Sequence, residues 1–451
     1  MGGGNAGNIR ILASDKISFD GVSSRDGSPS GAFSAVDSNF FGKGGDLDIT
    51  TGLLSVTNGA QLVTSTLKKG NAGNITLNAR DAVFDGVNSK GSPSGAFATV
   101  DANAEGKGGD ITIKAESVSV TQGAQLAANS RGRGDAGSIS ITTDTALFQG
   151  FGSNGLPSRA SSAVETGAVG NGGNLRIVAG RFNVLNRAEG TVSNQGSGNA
   201  GQLKVIANSI NLDNQGKLTA NSANGFGGDI ILQARDLLLL RRNSLISAIS
   251  GGQDGNININ TQFLVAFSQE NSDITATGFG RTAGSNVVVN ISKPGGIFGI
   301  QYQPQLTPNS DIVATGNIII NNFDLDPTQG LFELTQTTPD PAQQIALNPC
   351  VKGFGSTFTI TGRGGLPTDP NKILSSDNVR VDLIQPVPSS VSSTSTTQKH
   401  ASQKPPVKQI VPAQGWIYNE KGEVVLVAYD PTKTGPQRQQ PAPTSSCAAV
   451  K

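Results

Sequence analysis

Side chains able to do covalent or acid–base chemistry are few in this 451-residue chain, and they do not cluster. Its one histidine, His400, stands in a stretch of Ser, Thr, Pro, Gln and Lys. No Ser–His nucleophile pair and no histidine-based zinc site can therefore form in the rest of the sequence. The two cysteines, Cys350 and Cys447, both fall in the C-terminal part; they can pair if the chain is extracellular, and otherwise they are two free thiols. Carboxylates are the remaining candidates. A polysaccharide lyase or hydrolase needs several acids on one face beside a Lys or Arg. The recurring acids here are interchangeable instead: Asp20 and Asp85, each in FDG, become Gln149 in a third copy, and Asp46, Asp110 and Asp229 alternate with Asn and Ser. Positions that exchange acid for amide or hydroxyl do turn chemistry. No catalytic residue, cofactor or metal ligand is assigned, the chain reads as non-enzymatic, and a carbohydrate-active enzyme is the alternative.

Those acids sit at fixed places in a repeat. GNAGNI from Gly4 is followed by GKGGDL from Gly42, GNAGNI from Gly70, GKGGDI from Gly106, GDAGSI from Gly134, GNGGNL from Gly170, GNAGQL from Gly198 and GFGGDI from Gly225. The closing glycines are Gly7, Gly45, Gly73, Gly109, Gly137, Gly173, Gly201 and Gly228, with looser copies at Gly255 and Gly284 and a faint last anchor at Thr315 to Ile320. Successive spacings are 38, 28, 36, 28, 36, 28, 27, 27 and 29 residues. A period in this range marks a solenoid, whose units cannot bury an apolar face alone. Glycine at one corner implies a positive φ or a close backbone approach. Two other strings dissolve into the repeat. The GxGxxG patterns at 132–137 and 196–201 are corners with no helix after them, which rules against a dinucleotide site. Arg133-Gly134-Asp135, an adhesion tripeptide in other contexts, occupies a corner where Gly and Asp are expected for turn geometry.

Each corner leads into period-two alternation, as in Ile75-Thr76-Leu77 and Ile139-Ser140-Ile141, the mark of a half-buried strand. A second short strand (Val118-Ser119-Val120) and a third (Leu126-Ala127-Ala128) complete most units. Three strands per repeat without helical periodicity predict an all-β fold: a right-handed parallel β-helix, the hand following the general rule for parallel crossovers. About eleven coils at a strand spacing of about 4.8 Å give a rod roughly 50 Å long. With 59 glycines and 5% aromatic residues the chain suits a thin stack of small aliphatic side chains. Its 34 basic and 33 acidic residues are interspersed and the net charge is +1, so nothing points to nucleic acid or an anionic membrane, and no apolar run approaches a transmembrane segment.

The longer coils carry an insert that itself repeats: FDGVSSRDGSPSGAF from Phe19, FDGVNSKGSPSGAF from Phe84 and FQGFGSNGLPSRASS from Phe148. Lying in every second coil, the three inserts at 22–33, 87–97 and 151–161 should align on one face about 10 Å apart, at two strand spacings. Arg25, Asp26, Pro29, Phe33, Lys90, Pro93, Phe97, Asn154, Pro157 and Arg159 are the candidate interaction residues. The reading divides the chain into repeats (1–323), a segment with short strands (324–386), a disordered Ser/Thr/Pro linker (387–412), a β-hairpin (413–434) and a flexible tail (435–451).

The GNAGNI/GKGGDI repeats, the cadence ITIxAxxVxVxxGAQLxxxS and the insert SPSGAF resemble filamentous haemagglutinin-type exoproteins of the two-partner secretion class. NPC, TITGRGGLPTDPN, VRVDL and GWIYNEKGEVVLVAYDPT resemble the cyanobacterial branch in particular. The resemblance implies a secreted or cell-surface β-helical adhesin or structural rod, exported through an outer-membrane transporter barrel and touching cell-surface glycans or proteins. Members of that class begin with a signal peptide and a secretion domain. Here Met1 falls directly on a repeat corner without a signal-peptide pattern. The expectation is the C-terminal part of a longer exoprotein or a truncated reading frame, with a non-functional remnant as the plain alternative.

Overall fold

The computed structural model describes residues 4–36, 41–252, 255–279 and 284–321, and the strands Gly415–Tyr418 and Val424–Val427. His400, Cys350, Cys447, the segment 324–386, the linker 387–412 and the tail 435–451 lie outside the described residues. The chain divides into two units, Met1–Gly330 and Leu331–Lys451.

The first unit is a parallel β-helix. One sheet of 13 strands runs through eleven rungs, from Ile9–Leu12 through Ile75–Asp85, Ile139–Gln149 and Leu203–Asp213 to Ile318–Asn321. A second sheet of 11 shorter strands lies on another side, from Gly31–Phe33 through Gln125–Ala127, Glu189–Asn194 and Leu245–Ser250 to Asp311–Ala314, with Gln301–Tyr302 added beyond it. Every pairing in both sheets is parallel, and equivalent residues of successive repeats stand in register: Leu47, Ile75, Ile111, Ile139 and Leu175 form one column. All five are buried. Removing such a side chain from water stabilises by about 1.5–3 kcal/mol, and here each rung's gain depends on the rungs on either side.

The structure departs from three short strands per coil. In most rungs the first two are one strand of 11 residues, such as Ile139–Gln149 and Leu175–Leu185. The ladder passes from Thr143↔Ala179 to Thr145↔Arg181 and skips Asp144 and Gly180, so a single unpaired position bends the strand without ending it. Among the described residues only Ile9–Leu12/Lys16–Asp20 and Ile111–Lys114/Ser117–Thr121 remain split. The third side of the coil is held by isolated parallel bridges, such as Glu105↔Arg133 and Arg133↔Val169.

The corners show why glycine recurs. A Cβ on Gly173 would lie 2.0 Å from the carbonyl oxygen of Gly137 one rung below. Close approach, not a positive φ, thus selects the closing glycine. The residue after it forms a ladder: Asn74 Oδ1 accepts from the Asp110 amide (2.9 Å), Asp110 Oδ1 from the Ser138 amide (2.7 Å), Ser138 Oγ from the Asn174 amide (3.1 Å) and Asn174 Oδ1 from the Gln202 amide (2.8 Å). Any short side chain with an acceptor oxygen serves, which is why Asp, Asn and Ser alternate there. In the second unit, Gly415–Tyr418 and Val424–Val427 pair antiparallel as the alternation predicts. Among the described residues no helix is long and apolar enough to cross a membrane.

Candidate functional site

The three inserts do align, and neighbouring inserts touch. Each closes on itself through an antiparallel bridge: Val22↔Pro29, Val87↔Pro93 and Phe151↔Pro157. The first two touch through the Lys90 side chain, which lies over Gly27. The next two are joined by Asn154 Nδ2, which donates to the Gly91 carbonyl at 2.6 Å. The intervening rungs are gripped between them, for the Gly59 amide donates to Ser94 Oγ (2.7 Å) and the Gly123 amide to Ser158 Oγ (2.8 Å). Arg187 stacks its guanidinium 4.5 Å over the Phe151 ring. At the tip of the first insert, Asp26 accepts from the Ser28 amide, which holds its carboxyl below the usual range, and Arg25 donates its amide to Ser23 Oγ. Both are exposed, so these two are turn residues on an outer rim.

The second and third inserts wall one stretch of a groove along the outer face of the short-strand sheet. Two adjoining stretches enclose about 600 Å³ and about 570 Å³ and share Arg159 and Glu165. Ser92, Pro93 and Leu156 line it at the N-terminal ends of the short strands; Asp101, Arg131 and Glu165 line it beyond their C-terminal ends. The floor is made by side chains that point away from the core and are nonetheless buried, among them Gln125, Asn129 and Ser161. Alternation places them there: in Gln125–Ala127, Leu126 faces the core and its neighbours face the groove.

Polar bonds cross the floor from rung to rung. Ser65 Oγ and Thr99 Oγ1 are 2.8 Å apart, Ser161 Oγ donates to Asn129 Oδ1 (3.0 Å) and Thr219 Oγ1 to Thr191 Oγ1 (2.8 Å). Glu165 accepts from Asn129 Nδ2 and Arg131 Nε, both at 3.3 Å, and Arg131 also approaches Asp101 at 3.8 Å. One column in register reads Gln61, Gly95, Gln125, Arg159, Glu189, Lys217. Within it Arg159 Nη2 reaches Gln125 Oε1 at 3.5 Å, while Gln125 Nε2 and Arg159 Nε have no hydrogen-bond partner among the described residues. Gln125 is only 5% exposed, so its free donor is confined to the groove.

The sequence candidates divide accordingly. Pro93, Phe97 and Arg159 line the groove; Pro29 and Pro157 close the inserts; Lys90 and Asn154 join them. Phe33 belongs to the same outward column as Phe97 and Ser161, and its ring is exposed. The floor residues Gln125, Asn129, Glu189 and Lys217 were not singled out in the sequence, although polar alternation in QLA, EGTVSN and KLTANS was the available signal. The recurring acids prove structural: Asp20 accepts from Thr57 Oγ1 and Asn58 Nδ2, and those bonds hold its carboxyl low, while Asp85 accepts from Thr121 Oγ1. Among the described residues no three of His, Cys, Asp and Glu are grouped to hold a metal ion. No protein-family model, no curated protein and no solved structure matches this chain.

Proposed function

We propose that the chain is a non-catalytic β-helical rod of the haemagglutinin-like exoprotein kind, displayed at a cell surface or secreted, and that its adhesive surface is the stacked insert face with the groove beside it. The motif resemblance supports the surface role and the export through a transporter barrel. The observation that carries the binding role is the recessed polar floor, in which side chains excluded from the core are arrayed at one rung's spacing, walled along one stretch by the second and third inserts. A rod serving only as a spacer has no need of such a wall. A polysaccharide-cleaving reading is the weaker one, since Glu165 is engaged by Asn129 and Arg131 and the repeated acids serve the turns.

The test is excision of the insert tips between their bridges, residues 23–28, 88–92 and 152–156, which leaves the flanking strands intact. Attachment of the purified chain to cells should fall to background while the β-sheet circular dichroism stays unchanged. Undiminished attachment by the well-folded variant would refute the assignment, and release of reducing ends from polysaccharides would favour the enzyme.

A further inference from the structure

We infer that the groove takes an uncharged polysaccharide laid along the axis of the rod, a conclusion that rests on the adhesive reading above and names its ligand. Three observations select this class. The floor is the face of a sheet, not its edge, so an extended peptide would find no main-chain ladder to join. The charges are balanced: Arg131, Arg159 and Lys217 face Asp101, Glu165 and Glu189. A polyanion, whether nucleic acid or acidic glycan, is held by an excess of Lys and Arg, and here Glu189 stands between Arg159 and Lys217 in the same column.

The third observation is positive. Gln125 Nε2 and Arg159 Nε are buried donors without partners on adjacent rungs, and Ser247 Oγ, farther along the same floor, is a third unpartnered polar atom. A buried donor left unmade is costly, so the site is complete only with acceptors delivered from the groove. A chain of pyranose rings offers ring, linkage and hydroxyl oxygens at a step comparable to one rung, about 4.8 Å. Its hydroxyl hydrogens in turn suit Glu189 and Thr191, and its apolar ring faces suit Phe97 and Pro93 at the insert end.

The experiment titrates the purified full chain, by calorimetry, with neutral polysaccharides (β-glucan, galactomannan and xyloglucan), with heparin and polygalacturonate, and with unfolded casein. Binding to at least one neutral glycan, unaffected by added salt, is the expected result. Gln125→Ala and Arg159→Lys, which keeps the charge but removes Nε, should each weaken it about 3- to 10-fold, the loss of one hydrogen bond. Lys114→Ala, exposed on the long-strand sheet away from the groove, should leave it unchanged. Binding confined to the polyanions and lost with salt, binding confined to casein, absence of neutral-glycan binding, or indifference to Gln125→Ala and Arg159→Lys in folded variants would each overturn the inference. Cell attachment lost on insert excision but with no neutral glycan bound would leave the adhesive reading standing without this ligand; glycan binding without cell attachment would do the reverse.

Discussion

Truncating Phe148 to Ala tests the claim that the rod is held by rung-to-rung packing. Phe148 is fully buried and meets Phe182 of the next rung edge-on, with ring centroids 5.2 Å apart and planes at 86°. Register sets Ala146 beneath Phe182 and Val184 above Phe148, so at these two rungs each ring has a smaller side chain for its neighbour in the column. Backbone ladders on both sides hold these strands in place, and the space left by a missing ring has little means of collapsing. Phe→Ala in such a site costs about 3–5 kcal/mol, of which the ring pair accounts for about 0.5–1.5 kcal/mol. In a one-dimensional stack the loss is local. Native-state hydrogen exchange of amides in Ile139–Gln149 and Leu175–Leu185 reads it directly. Each of Phe148→Ala and Phe182→Ala should lower the opening free energy of those rungs by about 3–5 kcal/mol, while Ile257–Val265 changes little. The double variant should lose less than the sum, by the ring-pair energy. A single-variant loss below about 1 kcal/mol, strict additivity, or equal loss of protection along the whole rod would refute the reasoning.

Two further substitutions separate other sources of stability. Gly173→Ala drives a methyl group against the Gly137 carbonyl and should cost about 1–3 kcal/mol in thermal unfolding. Gly4→Ala, where a Cβ meets open space, should be silent; equal effects would remove the close-approach explanation. Asp273 is buried, accepts from the Asp311 amide, and lies beside Asp311 in register. Burial, followed by the neighbouring charge, pushes its pKa up from 3.8 against the pull of that amide. A folded-state pKa above the unfolded one contributes stability that is full at low pH and lost as pH rises through the raised value. Asp273→Asn, whose Oδ1 still accepts from the amide, should therefore be more stable than wild type at neutral pH and no more stable below pH 3.8; a pH-independent difference would show that the carboxyl does not titrate in this way.

Much of the fold was legible because a β-helix writes its geometry into the chain as a period. The closing glycines, the alternation after them and the 28- against 36-residue spacing locate the rungs, the core columns and the inserts. Less legible was the continuity of the long strands. Short runs of alternation read as two separate strands, whereas in the structure Asp144 and Gly180 are one skipped position in an unbroken ladder. A strand ends where pairing ends, and pairing is set by the adjacent rungs rather than by the residues at the bend.

The groove was harder to see for a related reason. Its columns run across the chain: Gln125, Arg159, Glu189 and Lys217 are 34, 30 and 28 residues apart, the longest step being the one that contains the third insert. Read along the sequence they are unremarkable polar residues in unremarkable strands. The inserts draw attention by their repetition, yet they turn out to supply mainly the wall, while the floor comes from positions whose identity changes at every rung. That contrast is informative about function. Where the rod needs only to be built, as at the corner ladder of Asn, Asp and Ser, one kind of side chain recurs because one kind of bond recurs. On the groove floor the column passes from amide to guanidinium to carboxylate to ammonium without repeating. One rung-to-rung bond runs along it, from Arg159 Nη2 to Gln125 Oε1 at 3.5 Å, and two of its buried donors are left unpaired by the fold itself. A variable column inside an otherwise repetitive rod is the arrangement expected when a ligand, and not the scaffold, sets the residue at each level.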